Sequence, residues 1–209
     1  MSGTKPPRVW QRMLSGRRLD LLDPSPLDIE IEDIAHGLAR VARWNGQTRG
    51  EHAFSVAQHS LIVEASVRFA DDDPRWRLAA LLHDGPEYVI GDMISPFKSV
   101  VGGDYRLVEE RLQRAIHLRF GLPATLPPAI LKAIKTADRL SAFHEATRLA
   151  GFSTEEAGAF FGRPAEGAVS ATSLEPKPAE VVGRLFLARF RELDAGTVAA
   201  GRPATGGKT

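Results

Sequence analysis

The sequence contains no cysteine, which excludes disulfides, thiolate nucleophiles and thiolate-bound metals, so any metal must be held by imidazole and carboxylate. Net charge is nearly absent as well. The 27 Lys and Arg stand against 26 Asp and Glu, a formal +1, which gives no general pull toward a nucleic-acid polymer or an anionic membrane and makes any phosphate affinity local. No apolar run approaches the roughly 20 residues that span a bilayer, and the start, MSGTKPPRVW, lacks the apolar stretch of a secretory signal. The expectation is a cytoplasmic protein with no membrane partner. Sustained alternation of the kind that marks strands is missing, and so are internal repeats. What is present, 209 residues of which 43% are hydrophobic, suffices for one core in one domain.

The periodicity is helical. Ile31, Ile34, Ala35, Leu38, Val41 and Ala42 recur at three- and four-residue steps and predict a helix over 29–43, stopped by Asn45-Gly46. Further helices are expected over 54–70, 74–83, 104–120, 127–150 and 179–193, with a loop around 91–103 and another over 162–178. Pro74 suits a first turn, Gly121 and Gly151 suit helix ends, and Ser153 with Glu156 has capping-box spacing for a short helix. The fold class this predicts is all-α, a helical globule over 28–193. An irregular N-terminal arm would cover 1–27, anchored by Leu19, Leu21 and Leu22, and a tail would cover 194–209.

Six histidines are present, and the pair His83-Asp84 closes an apolar helix just ahead of the break Gly85-Pro86. His59 shares a helical face with Ile62, Val63 and Ser66, so its ring points inward, where a neutral imidazole needs a partner or a metal. Asp138 lies mid-helix among Ile134, Ala137 and Phe143, where desolvating a lone carboxylate is costly and a cation is called for. Two imidazoles and two carboxylates from three helices make a mixed nitrogen and oxygen set suited to a divalent ion. Manganese, cobalt, zinc, iron and magnesium are all admitted by it. His36 reads as structural, His52 as exposed, and His117 and His144 as helix-surface residues.

The order VAQHS with His59, LLHDGPE with His83, Asp84 and Glu87, and KTADRL with Asp138 resembles the H, HD, D pattern of the HD superfamily of metal-dependent phosphohydrolases. Arg43-Trp44 ahead of the first His, Glu87 and Asp92 in HDGPEYVIGD, and Lys98 in SPFK resemble the branch that holds bacterial deoxyribonucleoside 5'-monophosphatases. The same branch includes small phage dATP triphosphohydrolases, to which DIAH and FSVAQHS are similar. The likeness covers about residues 27–150. Pro86 departs from the small residue usual there.

The resemblance implies a single HD domain with one divalent ion in a cleft, held by His59, His83, Asp84 and Asp138. It further implies Glu87 and Asp92 as the groups that position or deprotonate water, a small nucleotide as substrate, and a homo-oligomer such as a dimer. Arg43 and Lys98 are natural partners for phosphoryl oxygens, Lys135 is a second candidate, and Trp44 could stack on sugar or base. The leading expectation is release of phosphate from deoxyribonucleoside monophosphates. Two alternatives are release of tripolyphosphate from a dNTP and a non-catalytic HD-fold module that binds a nucleotide or scaffolds a partner.

Overall fold

The computed structural model describes residues 8–70, 73–101, 103–164 and 171–199. The expected all-α architecture is what it shows: nine α-helices and one two-stranded sheet among the described residues. The helices are α1 Ile31–Leu38, α2 Val56–Ser66, α3 Pro74–Leu81, α4 Glu87–Ile90, α5 Ser95–Val101, α6 Gly103–Arg119, α7 Pro128–Arg148, α8 Thr154–Phe161 and α9 Ala179–Ala199. None of the described helices is long and apolar enough to cross a membrane.

Local chemistry sets several of the helix starts. Ser55 Oγ accepts from the Gln58 amide at the start of α2, Asp73 does the same for Arg75 ahead of Pro74 in α3, and Ser153 with Glu156 closes a full capping box on α8. The first helix stops at Leu38, five residues before its periodicity does. Val41 and Ala42 instead run extended beside 54–56: Val56 N–H donates to Val41 O at 3.0 Å and Arg43 N–H to Phe54 O at 2.8 Å. Apolar spacing alone cannot tell a helix turn from such a bridge. α5 occupies part of the stretch read as a loop, and α9 runs six residues past Leu193, into the span assigned to the tail. Residues 200–209 lie outside the described residues.

The arm is not irregular throughout. Trp10–Arg12 pairs antiparallel with Arg18–Asp20 as β1 and β2, in the register Gln11↔Leu19. Three residues per strand are too few for alternation to be legible. Leu19 is fully buried, while Leu22 is largely exposed. Ser15 fastens the hairpin to α1 through its N–H and hydroxyl, both donated to buried Asp33.

The core lies among α1, α2, α3, α6 and α9, with Leu38, Leu78, Leu81, Leu82, Leu112, Ile116 and Phe186 fully buried. Each such side chain contributes about 1.5–3 kcal/mol on leaving water. One ion cluster sits inside this packing. Glu64 of α2 accepts from Arg77 of α3 at 2.7 Å and from Arg189 of α9 at 2.8 and 2.9 Å, which ties the last helix across two others. Gly37 lets α1 touch α4, since a Cβ there would stand 2.8 Å from Tyr88 Cβ and its carbonyl oxygen.

Candidate metal centre

Three segments deliver the chemistry-bearing side chains. α2 is buried nearly all round, with Val56, Ala57 and Val63 in the core, so His59 in its first turns is driven inside and is fully buried. α3 ends at Leu81, and the chain turns through His83 and Asp84 before α4 opens at Glu87. Gly85 permits that turn, because a Cβ there would lie 3.0 Å from both Ile116 Cδ1 and Leu82 O. Asp138 comes from the middle of α7.

These parts meet. Ligand atoms of His59, His83 and Asp138 lie within 4.8 Å of one another, a group that could hold a metal ion. Asp84 joins them: its Oδ2 is 3.4 Å from His59 Nε2 and 3.2 Å from His83 Nε2, while Asp138 Oδ1 is 3.4 Å from His59 Nε2. Both Nε2 atoms are buried and hydrogen-bonded to nothing among the described residues. Their other nitrogens are engaged. His59 Nδ1 lies 2.5 Å from Glu145 Oε1 and His83 Nδ1 lies 2.9 Å from Ala80 O. Donation from each Nδ1–H leaves the Nε2 lone pairs facing the carboxylates, the arrangement that metal-binding histidines adopt.

The electrostatics agree. Burial and Arg43 disfavour a charged His59, yet Glu145, Asp138 and Asp84 prevail and hold its ring well above the usual imidazole value. Burial alone would raise Asp84 and Asp138, but the two histidines hold both carboxyls below their ordinary range. The cluster demands a positive charge at its centre, and a proton is the minimal one. Glu87 is the opposite case: burial, then the charges of Asp84 and Asp92, push its carboxyl up to about 10, and its Oε2 has no hydrogen-bond partner.

The other predicted residues fall into two groups. Arg43 and Asp92 are together, with Nη1 to Oδ2 at 3.2 Å, and Arg43 Nε reaches Glu145 Oε2 at the same distance. Trp44 also donates to Glu145, Nε1 to Oε2 at 2.9 Å, and its ring packs 5.6 and 5.7 Å from those of Phe152 and Phe161. Trp44 and Asn45 both adopt left-handed backbone, φ 57° and 50°, a costly geometry for side chains of that size. Lys98 and Lys135 are each paired with a carboxylate. Lys98 pairs with Glu109 at 2.9 Å, although it still feels Glu87, and the exposed Lys135 pairs with Asp138 at 2.7 Å.

Glu145 escaped the sequence reading. It is fully buried and serves His59, Arg43, Trp44 and Ser141 at once. The signal was there: Asp138, Ser141 and Glu145 follow at three and four residues and so share one face of α7. Three histidines require correction, His52 among them because it is half-buried rather than exposed. His117 and His144 are buried rather than on helix surfaces, and burial lowers His117 to about 4, with Gln113 bonded to its ring at 2.7 Å. Neither joins the cluster. His36 is exposed.

Fold and site together define a helical protein with a largely buried His/His/Asp group that could hold a metal ion. No known family model matches the chain. The uncharacterized protein RCAP_rcc00048 of Rhodobacter capsulatus is 58% identical over 190 residues, spanning 89% of this chain and 96% of its own length, and the chain belongs to the same family. The uncharacterized protein YfdR of Escherichia coli is 32% identical over 111 residues, 53% of this chain and 56% of YfdR.

Proposed function

We propose that the chain is a metal-dependent phosphohydrolase of the HD type that removes phosphate from deoxyribonucleoside 5'-monophosphates in the cytoplasm, working as a homo-oligomer. One observation carries the metal part of the reading: two buried Nε2 atoms, each on a ring engaged at its opposite nitrogen, face carboxylates, His59 facing Asp84 and Asp138 and His83 facing Asp84. That set fits one divalent ion held by His59, His83, Asp84 and Asp138. Such an ion supplies Lewis acidity to a phosphoryl oxygen and to water.

The surrounding side chains have distinct tasks. Glu87 keeps its proton at neutral pH because it is buried beside two carboxylates, so it can hand that proton to the leaving sugar oxygen; added positive charge nearby would bring it closer to neutrality, where donation and recapture balance. Asp92 faces Arg43 and holds its fork in place. With Nε on Glu145 and Nη1 on Asp92, Arg43 has Nη2 for a phosphate oxygen. Lys98 adds a point charge once it leaves Glu109, and Lys135 stands at the rim beside Asp138. Trp44 is held by Glu145 next to Arg43.

The test is incubation with Mn²⁺ or Co²⁺ and a panel of dNMPs, NMPs and dNTPs, separating phosphate from tripolyphosphate, with His83→Ala and Glu87→Ala alongside. Phosphate from dNMPs that disappears in both variants is the expected result. Tripolyphosphate would replace the substrate assignment, and no product with any metal would leave a nucleotide-binding module.

A further inference from the structure

Glu145 is a buried carboxylate with its two oxygens assigned to different structures. Oε1 accepts from His59 Nδ1 at 2.5 Å and from the Ser141 hydroxyl at 2.7 Å, both inside the protein. Oε2 accepts from Trp44 Nε1 at 2.9 Å and from Arg43 Nε at 3.2 Å. The first pair belongs to the His59 side of the cluster, the second to the left-handed turn at Trp44 and Asn45.

We infer that Glu145 is a positioning residue that orients His59 for the metal and at the same time holds the Arg43–Trp44 turn in its strained conformation. The inference rests on the metal reading above. Four donors converge on this side chain, and only a carboxylate offers acceptors on both sides. An amide in the same place fails on one side whichever way it lies. With its NH₂ toward His59, the ring must accept at Nδ1 and carry its proton on Nε2, which removes the lone pair aimed at Asp84 and Asp138. With its NH₂ toward Arg43 and Trp44, two donors meet a third, and the turn loses the contact that offsets its backbone cost.

Isothermal titration with Mn²⁺ alone, on full-length wild type, Glu145→Gln, Ser141→Ala and Glu64→Gln, separates the possibilities. Glu64 is also buried and ion-paired, but it clamps α2, α3 and α9 away from the cluster. Glu145→Gln should weaken Mn²⁺ binding about 10- to 100-fold, Ser141→Ala about two- to tenfold for the loss of one bond to Oε1, and Glu64→Gln should leave it unchanged. Circular dichroism melts report whether each variant is folded. If Glu145→Gln fails to fold, Ser141→Ala decides by itself. Wild-type affinity in both of these variants overturns the inference, as does an equal loss in Glu64→Gln. Wild type that binds no Mn²⁺ removes the metal reading itself, and the inference with it.

Discussion

Raising the pH should widen the gap between the melting temperatures of Mn²⁺-loaded and metal-free protein. In the metal-free chain His59 carries a proton drawn by Glu145, Asp138 and Asp84, which keep its ring above the ordinary imidazole value. The sign follows from linkage. A raised folded value gives stability that is complete below the unfolded value and lost as pH climbs through the folded one, so the metal-free protein weakens with rising pH. Asp84 and Asp138 are held below their ordinary range; their contributions are lost only in acid and add no slope near neutrality. Metal takes the place of the ring proton, so loaded protein is spared that loss. One displaced proton changes apparent affinity tenfold per pH unit, or about 1.4 kcal/mol. For a chain of this size that is roughly 3–6 °C per unit. Glu87, protonated by burial beside Asp84 and Asp92, changes the slope in the same direction, so one proton is a lower bound. Differential scanning fluorimetry with and without Mn²⁺ between about pH 6 and pH 8 reads the gap directly. A gap that stays constant or narrows with pH refutes the competition between proton and metal at His59.

Three further outcomes test the site and its frame. Glu87→Gln should keep the Mn²⁺ stabilisation but cut turnover about 10²- to 10⁴-fold, measured as released phosphate, because the amide carries no transferable proton. Gly37→Ala should cost about 1–3 kcal/mol in a denaturant melt, since its Cβ would collide with Tyr88 at 2.8 Å, and it should lower activity through displacement of the helix that begins at Glu87. Glu64→Gln should lower stability by about 2 kcal/mol without touching Mn²⁺ affinity. That is below the cost of breaking a fully buried pair, because Arg77 and Arg189 keep side-chain exposures of 33% and 28% and regain water.

The helical class and two helix starts were legible because they rest on local chemistry: Pro74 opens α3 and Ser153 caps α8, whereas the caps at Ser55 and Asp73 were not singled out. The hairpin was not, for strands of three residues carry no readable period. Nor was the early end of α1, which is decided by backbone bonds to a segment more than ten residues on. His59, His83 and Asp138 were found from inward-facing polarity and motif order. Glu145 was missed because a glutamate in a helix reads as solvated until its four partners, brought from two other places in the chain and from one turn away, are seen. His117 and His144 were misjudged for the same reason, since a polar ring's burial depends on what packs over it.

Asp84, Glu87, Asp92 and Glu145 lie within electrostatic reach of Arg43, and Asp138 lies within reach of Asp84, in a chain whose formal charge is +1. Glu87 is held protonated, and Arg43, the protonated His59, Lys98 beside Glu87 and Lys135 beside Asp138 offset the remaining carboxylates. A cation bound among the carboxylates would add the positive charge that draws a phosphate in. On the proposed metal reading, binding at such a place would follow an order, cation first and anion second, and withdrawing the ion with a chelator would weaken the hold on the anion as well as disarm the chemistry behind it.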